Sequence, residues 1–148
     1  MSPLGHLALG VLAGRWRAYG ARGRRLCLFG AFLPDLVDKP LGHLGVTPSF
    51  HSVGHSLPVL IAVALVAVRV GRGAPVVLGW TTSLVGDLPL AVPAYLDHYV
   101  WPLLAPPAPP AEPVGRYVLD YATGPAFGAE VLLACAAAWT VARGSDAG

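Results

Sequence analysis

Five apolar segments, residues 3–14, 26–36, 56–70, 75–90 and 125–142, dominate this chain, and most of its charge falls outside them or near their ends. At such lengths each segment suits a helix, the element that satisfies its backbone internally where water is excluded. Charged residues make up only 12% of the sequence against 55% hydrophobic, with a mean hydropathy of +0.60. An average soluble domain is about a quarter charged, so the balance points into lipid. The expected fold is all-α, a single domain over residues 1–148 built as an integral membrane bundle of four or five short helices. A helix of fifteen residues rises roughly 22 Å, whereas the hydrocarbon core is about 30 Å thick, so flanks must extend the segments or the arrangement is thin or partly re-entrant.

Orientation follows from the arginines. Arg15, Arg17, Arg22, Arg24 and Arg25 lie between the first two segments, Arg69 and Arg72 between the third and fourth, and Arg143 after the fifth. If all five segments cross, these eight share one face and only Lys39 and Arg116 fall on the other. The positive-inside rule makes the arginine face cytoplasmic, giving a multi-pass protein of the inner membrane with its N-terminus out and C-terminus in. No basic stretch precedes the first segment, which therefore reads as a retained helix and not a cleaved signal. The net charge of +2 implies no nucleic-acid partner. Cys27 and Cys135 sit in apolar stretches and suggest no disulfide framework. The proline-rich stretch 105–113 reads as a stiff external spacer.

Drawn from arginines alone, the same map gathers the histidines and acids at the outer face. His6 begins segment one there, Asp35 and Asp38 close segment two, His51 and His55 open segment three, Asp87 closes segment four, and Asp97 and His98 follow. Ionisable residues at such depth are costly, so their convergence is the strongest functional signal in the chain. Imidazoles and carboxylates without suitably placed thiolates fit a divalent metal, zinc first, with manganese or iron also permitted. His51 and His55, at i and i+4, share a face if the helix already includes His51; Asp35 and Asp38, at i and i+3, could share one cation, with Lys39 neutralising spare charge.

Each residue also has a plainer reading. His6 could be an interfacial polar residue, Asp35 and Asp38 loop carboxylates beside Lys39, and Asp87 a cap on the turn at Leu88–Pro89. His43, flanked by glycine, reads as a surface histidine, and Tyr95, Tyr99 and Trp101 as an interfacial aromatic belt. Glu130, inside segment five, is either a second partner to the site or a helix-packing contact, with its depth favouring packing.

Taken with their order, these blocks resemble the YdjM-like membrane-bound metal-dependent hydrolases of prokaryotic inner membranes. The resemblance rests on Gly5-His6-Leu7, on Gly30, Ala31, Leu33, Pro34 and Asp35, on the run from Gly54 to Leu57, on Gly86-Asp87, and on Trp101-Pro102. It implies a metal held by His6, Asp35, His55 and Asp87. Asp38 and His51 depart from the family's spacing by one residue, and Ser83 stands where that family commonly carries a further histidine, a place His98 could fill.

The function expected is metal-dependent hydrolysis at the outer interface, on a lipid or phosphoester, with Asp35 or Asp38 as general base where it does not ligate. The alternatives are a non-enzymatic membrane protein pinned together by metal, and a small ion-binding or transport module. The topology is directly testable: reporters fused at Gly20 and Gly148 read cytoplasmic and one inserted near Pro109 reads external. A cytoplasmic signal at Pro109 reverses the map.

Overall fold

The computed structural model describes residues 2–91, 96–104 and 114–145, and contains no strand among them. Seven helices follow one another: α1 (Pro3–Trp16), α2 (Ala21–His43), α3 (Leu57–Val70), α4 (Ala74–Ala91), α5 (Leu96–Tyr99), α6 (Val114–Thr123) and α7 (Pro125–Ser145). The proline-rich stretch 105–113 and Tyr95 lie outside the described residues.

Local chemistry sets the helix ends. The Ser2 hydroxyl accepts from the Leu4 amide with Pro3 in the first turn, and the Ser56 hydroxyl accepts from the Val59 amide just ahead of Pro58. Both arrangements satisfy an otherwise unpaired amide where proline's missing N–H costs nothing. Gly71 closes α3 at φ +67°, a conformation in which a Cβ would be strained. Five of the helices correspond to the five apolar segments. The count exceeds the expected four or five because α5 and α6 form in the connection between α4 and α7. Apolar residues at 114, 117, 118 and 121 recur at helical spacing there, a pattern overshadowed by the adjoining prolines.

The largest departure is in α2, which runs well beyond residues 26–36 at both ends and continues through Pro34 and Pro40. A proline within a helix removes one backbone hydrogen bond and needs support from neighbours. At Pro34 the following loop lays the Gly54 backbone against the helix; a Cβ on Gly54 would stand 2.4 Å from the Pro34 carbonyl oxygen.

Helix α2 packs against α1 and α4, and α1 also contacts α7. Small residues make these approaches possible. A Cβ on Gly79 would lie 1.9 Å from the Cys27 carbonyl oxygen, and one on Gly30 would lie 2.1 Å from that of Val76, so α2 and α4 meet backbone to backbone. At one end of α1, the Ser2 amide and hydroxyl and the Tyr121 hydroxyl all donate to Glu130 of α7. Glu130 is thus a packing contact between helices. At the other end the Arg15 guanidinium reaches the Val141 carbonyl.

Leu60, Trp80, Leu84 and Tyr99 form the apolar core, with Leu33, Val59 and Val77 against it. Tyr99 is therefore a core residue and not part of an interfacial belt; its hydroxyl donates to the Leu84 carbonyl, 3.2 Å away. Residues 125–143 form the one helix, among those described, long and apolar enough to cross a membrane; α3 is apolar but shorter.

Gly79→Ala should destabilise the fold by about 1–3 kcal/mol or prevent its assembly, since the methyl group has no room at the α2–α4 crossing. Gly115→Ala, with nothing within 4 Å of the added Cβ, should be neutral or slightly stabilising. Thermal unfolding of the purified variants in detergent distinguishes the two.

Candidate metal centre

The ends of three helices and one loop meet in a buried polar pocket. His6 comes from the second turn of α1, Asp35 and Asp38 from the C-terminal half of α2, and Asp87 from the last turns of α4. His51 and His55 belong to the loop between α2 and α3. The helix begins only at Leu57, after the Ser56 cap, so these two histidines do not share a helical face as the i, i+4 spacing suggested. Their rings nevertheless lie with centroids 4.4 Å apart.

Asp38 is what folds that loop. Fully buried, it accepts from the Ser52 amide at 2.7 Å, the Gly54 amide at 2.8 Å, the His55 amide at 3.1 Å, the Ser52 hydroxyl at 3.2 Å and His55 Nδ1 at 2.8 Å. With both oxygens engaged by neighbouring groups, Asp38 is not free to act on a water, which corrects the expectation that it could serve as general base. Its place is behind His55, holding one ring nitrogen so that the other faces inward, a common support for a metal-binding imidazole.

The inward nitrogen, His55 Nε2, makes no hydrogen bond and lies 3.9 Å from Asp35 Oδ1 and 3.4 Å from Asp87 Oδ2. Asp35 Oδ2 stands 3.4 Å from His6 Nε2. The structure therefore brings His6, Asp35, His55 and Asp87 together from four elements. His51 joins them: one donor atom each from Asp35, His51 and His55 lies within 4.8 Å of the others. Bound zinc holds nitrogen and oxygen donors at about 2.0–2.2 Å, so closing on an ion requires movements of roughly an ångström. The group that could hold a metal ion is Asp35, His51 and His55, with His6 and Asp87 each in contact with one of its members and outside the set.

Two further residues act on the histidines. Ser83 hydrogen-bonds His6 Nδ1 at 2.9 Å and leaves Nε2 directed at Asp35. No spacing in the sequence announced that pairing, which depends on α1 lying beside α4. His98 donates from Nδ1 to the His51 carbonyl at 2.6 Å, and its ring stands 5.7 Å from that of His51. It thus braces the loop through Nδ1. Lys39 Nζ is 2.6 Å from Asp35 Oδ2 on the exposed rim. His43 is exposed and stacks on Phe50, as a surface histidine would, and Asp97 is exposed. Trp101 is half-buried, its carbonyl accepting from the Ser56 hydroxyl.

Electrostatics separates the two loop histidines. Burial and the neighbouring His55 push His51 down to about 4, which keeps it neutral with a lone pair to offer. Burial pulls His55 the same way, but its hydrogen bond to Asp38 and the charges of Asp87 and Asp38 outweigh it and raise it to about 9.

Without metal, His55 is therefore protonated at neutral pH. Its folded value lies above the ordinary histidine value of about 6.5, so its stabilising contribution is complete below that pH and is lost as pH rises through about 9. Metal must displace that proton. Zinc affinity should rise about tenfold per pH unit below about 9 and then level off, as measured by competition with a chelator whose own protonation is corrected for. A pH-independent affinity would count against His55 as a ligand. The chain matches no protein-family model, no curated protein and no solved structure, which leaves the chemistry of these side chains as the ground for assigning a function.

Proposed function

We propose that this chain is a multi-pass inner-membrane metalloenzyme of the YdjM-like kind. It uses a divalent ion, zinc first, to hydrolyse a lipid or phosphoester at the outer interface. The observation that carries this reading is the cluster of Asp35 from α2 with His51 and His55 from the following loop, donor atoms within 4.8 Å of one another, with buried His6 and Asp87 against its edges. Isolated buried charges are strongly unfavourable, and a shared cation is the natural partner for several donors at once.

A membrane setting is supported by how the side chains are distributed. Among the described residues twelve buried side chains are polar or charged and nine are apolar, most of those small, while large apolar residues such as Ile61, Leu65, Val66, Val68, Leu132 and Trp139 are exposed. In water such a surface drives aggregation; in lipid it is the expected exterior. Every arginine except Arg116 falls at or beyond the helix ends opposite those that carry His6, Asp87 and the His51–His55 loop, which agrees with the positive-inside rule for a site on the outer face.

A bound ion would bring a water's pKa near neutrality and polarise the scissile group. Around it the residues divide the work. His6 and His55 present Nε2 inward, fixed from behind by Ser83 and Asp38. Asp35 and Asp87 approach His55 from opposite helices, and whichever of them does not ligate can take a proton from the attacking water.

Metal analysis of the purified protein should find close to one zinc per chain, and His55→Ala should remove it. Asp35→Asn should lower turnover of a phosphodiester or phospholipid at least 100-fold, an effect of a size typical for a general base or ligand. Metal that is retained and required for folding, with no turnover on either substrate class, would instead make the ion a clamp on the helices.

A further inference from the structure

The face of α2 that leads away from the pocket carries a groove of about 380 Å³ lined by Arg25, Leu28, Phe29, Phe32 and Leu36. Residues 25, 29, 32 and 36 follow one another at spacings of four, three and four, which places them on one stripe of the helix. The next position on the stripe is Lys39. From Leu28 to Lys39 the helix rises about 16 Å, comparable with half the hydrocarbon thickness. Phe29 and Leu36 are half-exposed, so the groove opens outward and not into the protein.

At its upper end the groove comes near the metal cluster through Phe32, which lines it. The Phe32 ring lies 5.9 Å from the His6 ring, Leu36 follows Asp35 in sequence, and the half-exposed Lys39 ammonium sits 2.6 Å from Asp35 Oδ2. At its lower end only Arg25 is charged, on the arginine face, where its aliphatic stem can line the apolar channel while the guanidinium reaches water.

We propose that this groove holds the acyl chain of an anionic membrane phospholipid from the outer leaflet, with its phosphate on Lys39 and its ester bonds beside the metal cluster. The proposal rests on the metal-centre reading and narrows it to a lipid substrate carrying a phosphate. Charge and shape point the same way. An apolar stripe of α2 leads to the half-exposed Lys39, and that cation adjoins the carboxylate that would bind metal. A cation at Asp35 would compete with Lys39 for the carboxylate and leave the ammonium to an anion. A phosphate gives that ammonium a charged partner, which a neutral ester or an amide does not.

The test measures binding to zinc-loaded protein in detergent, using mixed micelles of phosphatidylglycerol or phosphatidylcholine and, separately, soluble glycerol phosphate. Phe29→Asp should weaken phosphatidylglycerol binding at least tenfold while leaving metal content and glycerol phosphate binding unchanged. Lys39→Gln should abolish the preference for phosphatidylglycerol over phosphatidylcholine and weaken glycerol phosphate as well, again with metal retained. Phe29→Ala, which keeps the surface apolar, should reproduce the lipid-specific loss in smaller measure if Phe29→Asp fails to assemble. Unchanged phosphatidylglycerol binding in the Phe29 variants, or an anionic preference surviving Lys39→Gln, overturns the proposal. So does a change in oligomeric mass without a change in lipid affinity, since the groove would then be an interface between copies. Groove-dependent lipid binding by a protein that holds no metal would uphold the groove and sink the metal centre instead.

Discussion

The arrangement of the pocket depends on one buried carboxylate. Asp38 is removed from water on a helix end, where an unsatisfied charge would be very costly, and it is tolerated because five donors from residues 52–55 surround it. The same contacts give an otherwise irregular loop its shape. They turn His55 so that Nδ1 faces Asp38 and Nε2 faces Asp35 and Asp87. Remove that anchor and the loop loses the reason for its conformation, the His55 ring loses its direction, and the pocket loses the residue that joins the carboxylates of α2 and α4.

Around this anchor, small residues set how close the helices come. Gly30 and Gly79 let α2 and α4 touch through their backbones, and Gly10 lies against Ala31 where α1 crosses α2. Backbone contact between helices fixes their relative position more tightly than interdigitating long side chains could. Polar groups carried on three helices and one loop can therefore be brought into contact without any bulky core. The buried apolar cluster of Leu60, Trp80, Leu84 and Tyr99 is correspondingly small, and it serves the site by tying down the loop. Trp80 donates from its indole nitrogen to the Gly54 carbonyl at 2.6 Å, one residue before His55.

How much of this could be read from the chain varies with the kind of interaction. The five long helices are legible because each is an apolar run bounded by charge or turn residues, and a helix is the only element of that length that satisfies its own backbone. Helix α6 was not, since its stripe lies behind a proline-rich stretch that dominates local composition. The candidate donors were legible as a set, because the arginines sort the helix ends and the histidines and acids follow. Their roles were not. Asp38 and Asp35 stand three residues apart with the same side chain, yet one faces the loop and the other faces the pocket. Tyr99 and Trp101 look alike in sequence as interfacial aromatics, but Tyr99 is buried against Leu84.

The sequence by itself determined which residue types lie at which helix ends, because hydropathy and charge are properties of each position and need no partner. That was enough to make the chain all-helical and to place imidazoles and carboxylates at one set of helix ends and arginines at the other. Only the tertiary structure decided which atoms face each other. Ser83 turns His6 because α1 lies beside α4; Asp38 turns His55 because a loop fourteen to seventeen residues away folds back onto α2. Hydrogen bonds act over about 3 Å and depend on direction, so the difference between a metal donor and its support is set by packing geometry that no single-residue property encodes.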